Sequence, residues 1–119
     1  VFTLFFLLTP ISSHGFDITI AVAPSTLNIQ SSGEVVTVHT NIAFSSVAGG
    51  TVTLNDIPIA WWKADNQGNF VAKFLVSAVK DLPLVIGSYN TLTLSGQTKD
   101  GMSFSGSEDI LIIRNVPKK

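Results

Sequence analysis

The sequence predicts an all-β domain: a sandwich of about seven to eight antiparallel strands behind an apolar N-terminal extension. Three observations lead there. Apolar and polar residues alternate with period two from residue 16 onward. Turn-forming clusters rich in Gly, Pro, Asn and Asp recur roughly every 8–12 residues, the spacing of a sandwich. No run keeps a helical apolar period long enough for a sizeable helix. A closed barrel would demand more even strand lengths.

Residues 1–15 stand apart from the domain at 16–119. The stretch VFTLFFLLTPI is uncharged and has the length of the apolar part of a secretory leader, roughly 7–15 residues. Ser13 and Gly15 then stand as the small residues before a cleavage point. A transmembrane helix needs about 20 apolar residues, and Pro10 interrupts this run at half that. Retained, the segment reads as a strand apolar on both faces, with Phe2, Leu4, Phe6 and Leu8 on one side and Phe5 and Leu7 on the other. Such a strand belongs inside a sheet. Eleven extended residues span roughly 36 Å at about 3.3 Å each, long enough to insert into a neighbouring subunit.

The strands follow in order. FDITIAVA alternates from Phe16 to Ala23, and Pro24-Ser25 ends it. TLNIQ forms a short strand before the turn SSG. GEVVTVHTNIAF places Val36, Val38, Thr40 and Ile42 inward and Val35, Thr37, His39 and Asn41 outward. Gly49-Gly50 punctuates the chain before TVTLND, where Val52 and Leu54 point inward. IPIAWWKAD and NFVAKFLV flank DNQG and form a hairpin. SAVKDLP makes one helical turn closed by Pro83. YNTLTLSGQ and MSFSGSEDILIIR flank TKDG as a second hairpin, with Gly106 marking a bulge. Shared parity within the strands selects a core of Ile18, Ile20, Val36, Val38, Ile42, Leu54, Ile59, Trp61, Phe70, Phe74, Leu92, Leu94 and Phe104.

From APSTLNIQSSGEVVTVHTNI through VTLNDIPIAWWKADNQGNFVAKF to NTLTLSGQTKDGMSFSG, the chain resembles immunoglobulin-like modules repeated in secreted and surface proteins of bacteria and archaea. The resemblance covers roughly residues 20–114 and rests on pattern. It implies an immunoglobulin-like β-sandwich with an extracellular, non-enzymatic role. The antibody-type Cys…Trp…Cys signature is absent.

Composition narrows the chemistry. Among 119 residues, 7 Lys and Arg face 8 Asp and Glu, for a net charge of −1. That balance cannot supply the row of phosphate contacts on which nucleic-acid affinity rests. Zero Cys excludes a disulfide scaffold, a Cys-based zinc site and a thiol nucleophile. His14 and His39 are the only histidines, and no metal or nucleophile-elbow spacing occurs around either. Asp65, Asn66 and Asn69 crowd one loop without the EF-hand spacing, so the loop reads as a turn, with calcium as the alternative. Trp61 and Trp62 point to opposite faces. Parity with Ile57 and Ile59 sends Trp61 to the core and leaves Trp62 outside, beside Tyr89 as the other outward aromatic.

The expectation is a non-catalytic extracellular or cell-surface structural module, a filament or surface-assembly subunit polymerising by donation of its N-terminal strand. Phe2, Leu4, Phe5, Phe6, Leu7 and Leu8 would form the subunit interface. The alternative is a carbohydrate- or protein-binding accessory module with Trp62 and Tyr89 as contacts. Neither reading involves a cofactor, a metal, nucleic acid or a stable transmembrane span.

Overall fold

The computed structural model describes residues 15–30 and 33–114. The expectations for Phe2, Leu4, Phe5, Phe6, Leu7, Leu8 and His14 lie outside the described residues. The remainder is all-β: two sheets face each other, and one short helix joins them.

The chain opens on an edge strand broken into three. β1 (Phe16–Asp17), β2 (Ile20–Ala23) and β3 (Thr26–Asn28) replace the single long strand read from FDITIAVA. β1 and β3 both run parallel to the last strand, whereas β2 pairs antiparallel with β4 in the other sheet. The chain therefore crosses between sheets at Ile18-Thr19 and returns through the cis Ala23–Pro24 peptide. β4 (Val35–Ala43) and β5 (Val47–Leu54) are joined by a 3-10 turn at Phe44–Ser46. β6 (Ile57–Pro58) and β7 (Trp61–Ala64) follow, then β8 (Asn69–Leu75), α1 (Val76–Lys80), β9 (Tyr89–Thr98) and β10 (Ser103–Ile113).

One sheet has the order β1-β10-β9-β5-β6, with β3 also on β10, and the other has the order β2-β4-β8-β7. The second order matches the A-B-E-D sheet of an immunoglobulin sandwich, and the first matches G-F-C extended by one edge strand. Counting β1, β2 and β3 as one interrupted strand, the ten segments make eight.

The core lies between the sheets. Phe70, Phe74, Leu54, Leu92, Leu94, Ile110 and Ile112 are completely buried. Ile20, Val36, Val38, Ile42 and Phe104 are buried as parity predicted, whereas Ile18 and Ile59 are only partly buried and pack against the core from its rim. Thr40 is buried too, and its hydroxyl donates to the Phe70 carbonyl at 2.6 Å. That bond spares the core an unpaired polar group.

Three expectations are corrected. Trp61 is 47% exposed and sits outside the core. Its parity with Ile57 and Ile59 carries no information, because β6 belongs to one sheet and β7 to the other. The chain switches sheets at Ile59-Ala60, so alternation restarts. Gly106 marks no bulge, since the β9–β10 register runs unbroken from Ser103↔Gln97 to Leu111↔Tyr89. A Cβ at Gly106 would sit 2.6 Å from the Ile18 carbonyl, so glycine admits the crossing chain. Gly49-Gly50 does not separate elements but lies within β5, where the pairing with β9 shifts register.

Candidate functional site: an aromatic sheet edge

The β7–β8 hairpin sets the geometry of the site. Asp65 donates its N–H to the Asn69 carbonyl at 2.9 Å, and Gly68 takes φ 82°. This is a three-residue loop with a left-handed residue, a connection that fixes hairpin register. Trp61 then lies opposite Lys73, Trp62 opposite Ala72, Lys63 opposite Val71 and Ala64 opposite Phe70. Ala72 and Phe70 face the core, so Trp62 and Ala64 share the inner side, while Trp61 and Lys63 share the outer.

Trp62, expected on the outer face, instead points between the sheets, because alternation restarts at Ile59-Ala60, yet it remains 41% exposed because β7 is an edge strand. Its ring lies over Gly49 of the opposite sheet, where an added Cβ would come within 2.2 Å of the indole Cε2. Glycine at 49 lets the ring rest on bare backbone and close the open side of the sandwich. Beside it lies a hollow of about 220 Å³ lined by Ile57, Pro58, Ile59, Ala60, Leu75 and Ala78. Leu75 at its rim is 51% exposed.

Trp61 lies on the outward face of the four-stranded sheet. The Lys73 ammonium stands 5.3 Å from its ring centroid and donates to the Thr37 hydroxyl at 2.9 Å. This cation–π contact was legible only through the hairpin register, which parity alone does not supply. His39 is exposed on the same face, as its alternation with Val38 predicted. Val71 is completely buried although it too lies outward, between His39 and Lys63 in the ladder.

The backbone of β7 matters as much as its side chains. The Asp65–Asn69 bond and antiparallel alternation make Lys63 and Trp61 the residues that bond to β8. The N–H and C=O groups of Trp62 and Ala64 then point away from the sheet, with no partner among the described residues. The other four-residue edge strand, β2, is guarded. Glu108 projects inward from β10, and its carboxylate accepts the Val22 N–H at 2.6 Å. β6 offers only two residues, one of them Pro58.

The remaining residues of interest lie apart. Tyr89 is 68% exposed at the start of β9 in the six-stranded sheet. Trp62 covers Gly49, whose neighbour Ala48 pairs with Gln97, eight residues beyond Tyr89 on β9. At about 3.3 Å per residue the separation along that strand is about 26 Å, so Trp62 and Tyr89 do not form one platform. The Asp65 carboxylate accepts the N–H groups of Asn69 at 3.0 Å and Gln67 at 2.8 Å. The Asn69 bond does most to hold that carboxyl below the usual carboxylate range; partial desolvation opposes it, and the Gln67 bond and the nearby His39 add to it. The side chain is thus engaged in closing its own turn. Among the described residues no group of three or more acidic or His side chains converges as a metal site. No helix among them is long and apolar enough to cross a membrane.

No protein-family model, curated protein or solved structure matches this chain.

Proposed function

We propose that this domain is a non-catalytic structural module of an extracellular or cell-surface assembly, joined to its neighbours by donation of residues 1–11 to the β7 edge of the next copy. The open edge of β7 carries this reading. Four outward backbone groups on Trp62 and Ala64 await a strand, and apolar side chains flank them. Each backbone bond formed there is worth about 0.5–1.5 kcal/mol net. β7 spans only about 13 Å at roughly 3.3 Å per residue. The rest of an eleven-residue donor would lay its side chains along the rim and hollow at Ile57–Ala60, Leu75 and Ala78, where burial supplies the larger gain. Lys63 at this edge discourages indiscriminate pairing, yet its long stem lets the charge stay in water against an uncharged donor.

The placement of the two edges also suits assembly. Residue 16 enters the fold on β1, at the opposite end of its sheet from β6. Four strand spacings of about 4.8 Å put these edges about 19 Å apart, and β7 follows β6 after two residues. A strand leaving one side and an acceptor on the other would define a head-to-tail contact, which need not close. The resemblance to repeated surface modules supports the same compartment and role.

Sedimentation velocity tests the proposal. The full chain is expected to assemble, and a chain lacking residues 1–15 to run as a monomer. Ala64→Pro removes an outward N–H while leaving the bonds to β8 intact, so it should fold and stay monomeric. Assembly of Ala64→Pro indistinguishable from the unaltered chain would refute the acceptor edge.

A further inference from the structure

The two sheets differ in charge. The strands of the four-stranded sheet carry Lys63 and Lys73 and no Asp or Glu, whereas those of the six-stranded sheet carry Asp17, Glu108 and Asp109 and no Lys or Arg. In a chain of net charge −1, the strands of one outward face thus carry only positive charge, with the Asp65 carboxylate in the turn at its end, near His39. Trp61, the most exposed tryptophan, lies within that face, between the two lysines: Lys63 two residues along the same strand and Lys73 directly across it.

We infer that the outward face of β7, β8 and β4 is a binding site for an acidic polysaccharide, with Trp61 stacking on a sugar ring and Lys63 and Lys73 pairing with uronate carboxylates. This goes beyond strand donation, which uses the backbone of β7 and its inner rim. A sugar's apolar C–H face stacks on an aromatic ring while its hydroxyls need donors and acceptors around the ring's perimeter. At Trp61 the Lys73 ammonium lies over one face of the ring, 5.3 Å from its centroid, and is bound to the Thr37 hydroxyl, so a sugar would stack on the other face of this 47% exposed side chain. An ammonium has three donors. Thr37 takes one, so two remain for a ligand while the Thr37 bond holds the group over the site.

The surroundings select the class of ligand. The two lysines complement a carboxylate-bearing chain but are too few for the phosphate row that nucleic acid requires. Ala21 and Ala23, two strands beyond β8 in line with Lys63 and Trp61, are small and exposed, so the face runs low away from the ring, while Leu75 stands exposed diagonally across from it. Val71, fully buried between His39 and Lys63 in the ladder, shows that the side chains of this face are packed. A packed face loses less freedom on binding.

The test is titration of the full chain with polygalacturonate, with dextran as the neutral comparison, followed by tryptophan fluorescence and affinity electrophoresis. Polygalacturonate is expected to bind, more weakly as salt rises, and dextran to bind at least tenfold less tightly. Trp61→Ala should weaken binding about tenfold or more. Lys73→Met, which keeps the stem and loses the charge, should weaken it several-fold and flatten the salt dependence. Tyr89→Ala, on the other sheet, should bind as the unaltered chain does. No binding of polygalacturonate, equal binding of dextran, or unchanged binding by Trp61→Ala with a native melting curve would each overturn the inference.

Discussion

Gly106→Ala probes the least expected part of the fold, the double crossing of the first strand. The added Cβ would lie 2.6 Å from the Ile18 carbonyl oxygen and 3.0 Å from both Ile18 Cγ1 and Ile20 Cγ2. None of these atoms retreats easily. The Ile18 N–H donates to the Ser105 carbonyl at 2.8 Å, and Ile20 is 5% exposed. Forcing a methyl into such a site costs about 1–3 kcal/mol. For a domain of about 100 residues that is a loss of roughly 4–24 °C in Tm. Gly50→Ala is the control: nothing lies within 4 Å of its added Cβ. There the smaller entropy of the unfolded chain should stabilise by about 0.4–1 kcal/mol. Urea denaturation followed by tryptophan fluorescence, with calorimetry as a two-state check, measures both. Equal stability of the two variants would refute the crossing of Ile18 over Gly106.

Two further outcomes follow from burial and from the turn at Asp65. Phe74→Ala removes a completely buried ring and should cost about 3–5 kcal/mol in denaturant melts, whereas Trp61→Ala, at the exposed outer face, should cost much less. The Asp65 carboxyl is held below its ordinary range mainly by the Asn69 N–H, so its contribution is present above the unfolded carboxylate pKa and is lost as pH falls through the lower folded value. Asp65→Ala should therefore be less stable at neutral pH, and stability-versus-pH curves should converge with the unaltered chain in acid.

What alternation controls was legible in the sequence. Val36, Val38, Phe70, Phe74, Leu92 and Leu94 each sit within one uninterrupted strand, where period two decides inward from outward. Parity failed where the chain changes sheet, because each crossing resets it. FDITIAVA looks like one strand since both of its halves alternate, yet Ile18-Thr19 carries the chain from β10 to β4. Trp61 was assigned to the core by the same error across Ile59-Ala60. The glycines held signals of a different kind. Gly49 and Gly106 both stand where another part of the chain approaches the backbone, a meaning that strand glycines share with bulges and that sequence alone cannot separate. Within the site, the inward turn of Trp62 over Gly49 needed the strand order, and Lys73 over Trp61 needed the hairpin register.

The central claim, strand donation onto β7, is tested most directly by cross-linking in a chain whose native sequence has no cysteine. Full-length Lys63→Cys is mixed, under mild oxidation, with full-length chains carrying Leu4→Cys, Phe5→Cys, Phe6→Cys or Leu7→Cys singly. Directly opposed residues on paired strands bring their Cβ atoms to about 4.5–5.5 Å, near enough for a disulfide after small adjustment. A donated strand presents alternate residues to the Lys63 face. Disulfide-linked heterodimers should therefore form with period two, from Leu4 and Phe6 or from Phe5 and Leu7 but not from both pairs. No heterodimer at any position, or equal yields at all four, would contradict it.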